Sequence, residues 1–115
     1  MKKIKVVCEI EVTLKMIGGK WKPLILYYLT CEGTKRFGEI NSFIGTISHK
    51  TLTNQLRELE TDELIIRKVY ATIPPKVEYS ISKKGKTLFS ILEAMCQWGE
   101  ENITCEYELI NPMCD

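Results

Sequence analysis

Between residues 37 and 63 apolar side chains fall into helical register twice, and only Gly45 and a short polar stretch separate the two runs. Phe37, Ile40, Phe43 and Ile44 predict a helix of about two turns that Gly45 stops. Ser48 is a good N-cap for the next helix, in which Leu52, Leu56 and Leu59 fall on one stripe and which continues to about Glu63. A short helix, a Gly-containing turn and a capped helix form a helix-turn-helix, and this unit constrains everything around it. The period then changes. LIIRKVY (64–70) and KVEYSIS (76–82) are β-branched and aromatic, and ATIPP between them holds two prolines that cannot donate to a ladder. The pair predicts a hairpin with a loop of about five residues.

The remaining segments complete the architecture. Ile10, Leu14 and Ile17 predict a short amphipathic helix that Gly18 and Gly19 end. A second helix starts near Lys20 and Trp21, tolerates Pro23 in its first turn, and runs through LILYYL to about Leu29. It is apolar nearly all round, which places it in the middle of the core. Ser82 is expected to cap a last helix with Leu88, Ile91, Leu92, Met95 and Trp98 at helical spacing. The predicted class is mainly α with a β-hairpin wing (α+β), a winged helix-turn-helix. With 115 residues there is material for one core. We divide the chain into a winged helix-turn-helix domain, 1–103, and an acidic C-terminal tail, 104–115, expected to be loose.

The fourth helix carries an unusual charge order. His49 and Lys50 stand at its front, where the helix dipole favours acids, and Glu58, Glu60, Asp62 and Glu63 stand at its back. At about 100° per residue, Leu52 and Leu59 lie within about 60° of Leu56, whereas Lys50, Asn54, Arg57 and Thr61 lie roughly 100–160° away. The outward face over the first turns thus offers Lys, Thr, Asn and Arg without a carboxylate. These residue types read or clamp DNA: Arg or Lys on guanine, Asn on adenine, Thr on phosphate or the thymine methyl. A recognition helix enters the major groove by its N-terminal part, and phosphate is an anion that a helix N-terminus attracts. Helix 48–61, with Ser48, His49, Lys50, Thr51, Thr53, Asn54 and Arg57, is the candidate reader. His49 projects near the Leu56 side, where packing and groove contact are both open. Lys35 and Arg36 before the short helix, and Arg67, Lys68 and Lys76 on wing 67–76, are candidates for phosphate contact near the minor groove.

Composition supports the same partner and argues against others. Residues 1–57 carry ten Lys/Arg against four Asp/Glu, and the rest six against eleven, so a net charge of +1 conceals a basic half and an acidic half. Five cysteines without a CxxC pair, and one histidine, argue against a zinc site or a disulfide scaffold. We expect reduced thiols, no cofactor and no metal. No apolar run approaches the roughly 20 residues of a membrane span, and Glu9 and Glu11 interrupt the only leader-like stretch, so a cytoplasmic location is expected. Catalytic signatures are missing: no nucleophile motif, phosphate loop or paired carboxylates in an apolar setting. The rival class is a winged helix that binds protein and not DNA. Such a face should offer aromatic anchors, and this one offers Lys50, Asn54 and Arg57.

Four motifs in this order, IGGKW (17–21), KRFGEI (35–40), ISHKTLTNQLRELE (47–60) and PPKVEYSISKKG (74–85), resemble the HxlR-type transcriptional regulators, relatives of the MarR winged-helix proteins. The resemblance covers about residues 8–99. It implies a homodimeric regulator on a palindromic operator in double-stranded DNA. It also implies dimerisation through the first and last helices, here segments 8–17 and 83–102, with Ile10, Leu14, Leu88, Ile91, Leu92, Met95 and Trp98 at the interface. Some family members sense electrophiles or oxidants through a cysteine just before the first helix. Cys8 holds that place, with Glu9 where the family often has Pro, so a redox or small-molecule effector is among the expectations.

Overall fold

The computed structural model describes residues 2–114. Its elements are α1 (Glu9–Ile17), α2 (Lys22–Glu32), α3 (Phe37–Ile44), α4 (His49–Thr61), β1 (Ile65–Tyr70), β2 (Lys76–Ile81), α5 (Lys83–Lys86) and α6 (Phe89–Asn102). The predicted order is therefore realised, with strand ends within a residue of expectation.

Helix α2 is the hub. Pro23 occupies its first turn, and Ile25, Leu26 and Leu29 are fully buried. It packs against α3, α6 and β2. Tyr28 stacks on Phe43 of α3 at 4.1 Å between ring centres, and Tyr27 stacks on Phe89 of α6 at 6.0 Å. Burying a Leu or Ile side chain stabilises by about 1.5–3 kcal/mol, so this one helix supplies a large part of the core's free energy. Lys22 is also buried. Its ammonium lies 2.8 Å from Glu58 Oε1 and fastens the start of α2 to the back of α4.

Helix α4 is held by its predicted stripe: Leu52, Leu56 and Leu59 are buried. It ends at Thr61 because Glu63 adopts φ +62°, with Leu64 N–H donating to Leu59 O and Glu63 N–H to Glu60 O. That pair of bonds is a Schellman termination, with Glu at the position usually given to Gly. Antiparallel β1 and β2 pair from Ile65–Ile81 to Tyr70–Lys76 and leave 71–75 as the loop. Lys35 adds a single bridge to Tyr79, so the hairpin is sewn to the segment preceding α3.

Four expectations change. The last helix is not continuous from Ser82: α5 ends at Lys86 and α6 begins at Phe89. At the break the backbone tightens to three-residue hydrogen bonds, Thr87 N–H to Lys84 O and Leu88 N–H to Gly85 O at 3.1 Å each, and Gly85 is packed so closely that a Cβ there would overlap Leu64 O and the Ile81 side chain. Ser82 caps α5 by accepting from Gly85 N–H (2.9 Å) and donating to Glu63 O (2.7 Å), so the wing's exit is clamped before α6 sets its own direction. The tail, expected to be loose, is tied down at two points. Cys96 in α6 is disulfide-bonded to Cys114, and Asn111 Nδ2 donates to Phe43 O at 2.6 Å. The expectation of reduced thiols throughout therefore gives way at Cys96 and Cys114, which the fold brings together despite their sequence separation of 18. Finally, Leu92 is buried in the domain's own core and Leu88 packs against it, so these two are core residues.

Candidate nucleic-acid interface

Ser48 starts α4 as the sequence suggests. Its Oγ accepts from Thr51 N–H at 3.1 Å and donates to Thr51 Oγ1 at 2.9 Å. The Ser48 hydroxyl is thus absorbed by capping, while Thr51, as the acceptor, keeps its own hydroxyl hydrogen for another group. Thr53 spends its hydroxyl hydrogen on His49 O at 2.8 Å. His49 is exposed and sets its ring edge-on to Phe37 of α3, 5.3 Å between centres, so packing on α3 holds it beside the outward face.

Lys50, Asn54 and Arg57 behave differently. All three are exposed, and among the described residues no hydrogen bond or ion pair engages their side chains. The nearby acid Glu58 turns back to Lys22. The face therefore presents two cations and one amide with every donor available. Asn41 Nδ2 supports it from behind, donating to Ile47 O at 3.2 Å across the turn between α3 and α4.

The flanking basic residues do not form one surface. Lys68 and Lys76 lie on one side of the hairpin, both with Nζ 4.8 Å from the centre of the Tyr70 ring. Arg67 pairs with Tyr79 in the ladder and so belongs to the opposite side, where strand alternation sends it. Lys35 is half-buried with its ammonium 5.6 Å from the Tyr28 ring, whereas Arg36 is exposed. Glu78 joins the Lys68 side: it meets Lys76 at 3.3 Å. The Tyr70 hydroxyl holds its carboxyl below the usual carboxylate range against some desolvation, with Lys76 and Arg36 acting in the same direction as Tyr70. A depressed carboxyl contributes stability above its unfolded pKa and loses it as pH falls through the folded one, so this contact fades only in acid.

Sequence reasoning missed Lys22, Asn41 and Tyr70. The signal for Lys22 was present: a cation opening a helix otherwise apolar all round has to find an acid. Cys8 sits at the N-cap of α1, exposed, with Glu9 and Glu11 in the first turn. Ile10, Leu14, Ile91, Met95 and Trp98 are exposed apolar residues on α1 and α6. Among the described residues no three His, Cys, Asp or Glu side chains gather as a metal set, and no helix is long and apolar enough to cross a membrane.

Comparison with known proteins agrees with this geometry. A family model described as HxlR-like helix-turn-helix matches residues 16–107. MalR of Fusobacterium mortiferum is 54% identical over 101 residues, which cover 88% of this chain and 95% of MalR. The HTH-type transcriptional regulator YkvN of Bacillus subtilis is 46% identical over 110 residues, covering 91% and 92%. Among solved structures, the redox regulator HypR in its oxidised form superposes with a TM-score of 0.81 at 46% identity, over 84% of this chain and 99% of that one. Helix-turn-helix, wing and sequence agree, and the chain belongs to the HxlR-like helix-turn-helix family.

Proposed function

We propose that this chain is a transcriptional regulator of the HxlR type that binds a palindromic operator as a homodimer in the cytoplasm. The observation that carries the reading is the free, carboxylate-free face of Lys50, Asn54 and Arg57 on a capped helix. That helix enters the major groove, Thr51 and Arg36 hold phosphate, and the Lys68–Lys76 side of the wing lies near the minor groove. The exposed apolar faces of α1 and α6 meet their copies, since patches of this kind on a small domain mark partner surfaces. A two-fold pair then sets two reading helices about one DNA turn apart.

Selection of bound fragments from genomic DNA, followed by anisotropy titrations on the recovered site, tests this. Asn54→Ala and Arg57→Ala should each cost about 1–3 kcal/mol at particular base pairs, and Arg36→Ala should weaken every duplex evenly. If Asn54→Ala keeps the operator preference intact, α4 does not read through this face. Glu78→Gln removes the acid from the wing. It should tighten binding to operator and scrambled duplex alike, by about two- to fivefold at moderate salt. Unchanged affinity would move the Lys76 side of the wing away from the phosphates.

Cys8 is the proposed site of a redox response. The thiol is exposed at a helix N-terminus, and HypR, a structural relative, is a redox regulator. Diamide treatment is expected to change operator affinity in the native chain and to leave Cys8→Ser unaltered. Equal responses from both proteins would assign the effect elsewhere.

A further inference from the structure

The Cys96–Cys114 pair serves neither the reading face nor Cys8, and it holds a specific piece of chain. From the end of α6 the tail turns back, gives Asn111 to Phe43 O at the end of α3, and finishes at Cys114 against α6. The two Cα atoms are 5.6 Å apart, a span that a disulfide accepts. The folded-back tail runs along one edge of an open groove of about 710 Å3 beside α2 and α6. Leu24, Met95 and Trp98, all exposed, line its helical side, and Tyr107, Leu109 and Met113 line it from the tail. The remaining cysteines, Cys8, Cys31 and Cys105, are free and exposed, whereas Cys96 and Cys114 are both half-buried.

A chromosome-binding protein works in a reducing compartment, where disulfides are transient and redox-sensing rather than structural. That step rests on the DNA-binding reading above. We infer that Cys96 and Cys114 form a second thiol–disulfide switch, separate from Cys8, that takes a low-molecular-weight disulfide as its oxidant and straps the chain's own tail to α6. In the reduced chain the tail is released and Cys114 is the more accessible thiol. Its thiolate attacks one sulfur of the small disulfide RSSR, the S–S bond breaks, and one RS⁻ leaves and takes up a proton. The Cys96 thiolate then attacks the Cys114 sulfur of the mixed disulfide and expels the second RS⁻. Two protein thiols have lost two electrons and two protons, and RSSR has become two RSH.

The experiment uses the full chain with Cys8, Cys31 and Cys105 replaced by Ser. Oxidised glutathione is expected to join the Cys96 and Cys114 peptides within one chain, by mass spectrometry, and excess reduced glutathione to separate them. Amide hydrogens of 104–113 should exchange at least about tenfold faster after reduction, because the strap then opens without global unfolding. Cys114→Ser added to the same background should show the fast exchange whether or not oxidised glutathione is present. Three results would overturn the inference: a link between two chains, a link that survives excess reduced glutathione, or equal exchange in both redox states. Operator binding enters none of these measurements, so this inference and the DNA-binding reading fail separately.

Discussion

Leu52→Ala is expected to lower stability by about 2–5 kcal/mol, the range for removing a fully buried leucine whose surroundings cannot close over the gap. Leu52 is fully buried in the first half of α4, as part of the apolar core on which the reading end is seated. For a chain of 115 residues each kcal/mol moves the melting temperature by roughly 4 °C, so a fall of about 8–20 °C should be visible by calorimetry or circular dichroism. A drop of only a degree or two would mean that α4 is seated by something other than its leucine stripe. Operator affinity at low temperature should also fall, because the helix that carries Lys50 and Asn54 has lost its nearest anchor. Exposed Thr61, at the far end of the same helix, is the control: Thr61→Ala should stay within about 0.5 kcal/mol of the native chain.

Trp98→Ala should separate association from folding. Trp98 is 69% exposed in the single chain, on a stripe of α6 with Ile91 and Met95. An aromatic of that size is a common anchor of an interface, and truncating one costs about 2–4 kcal/mol of binding. The dimer dissociation constant should therefore rise by about 30- to 1000-fold, read by sedimentation across a dilution series. The fold of the single chain should hardly change, since little of the side chain is buried within it. Binding to a full palindrome should weaken much more than binding to a half-site. A dissociation constant that does not move would take α6 out of the interface.

The helix-turn-helix and the wing could be read from the sequence because each rests on local rules: an apolar stripe, an N-cap at Ser48, a change of period at Leu64. The reading face of α4 followed from helical geometry alone. What could not be read depends on contacts between distant segments. Ser82 and Leu88 to Trp98 share one periodicity, so nothing local announces that Gly85 must pack against Leu64 or that the helix divides after Lys86. Leu92 looks the same in a periodic stripe whether it faces a partner or its own core; only the position of α2 decides. The wing bases were grouped by neighbourhood in the chain, yet strand alternation puts Arg67 opposite Lys68, and Tyr70 gathers Lys68 and Lys76 through a ring contact no motif encodes. Cysteine counting predicted free thiols because spacing says nothing of a tail that folds back to α6.

The Lys22–Glu58 contact has a consequence for lineages as well as for one molecule. Lys22 is almost wholly shielded from water, so its ammonium depends on the carboxylate brought to it from α4. Losing the acid alone strands a cation in an apolar setting; losing the cation alone leaves a gap beneath the helix. Aligned relatives should accordingly keep this couple intact or exchange both partners in tandem, and sequences that retain a lysine at 22 with an apolar residue at 58 should be rare.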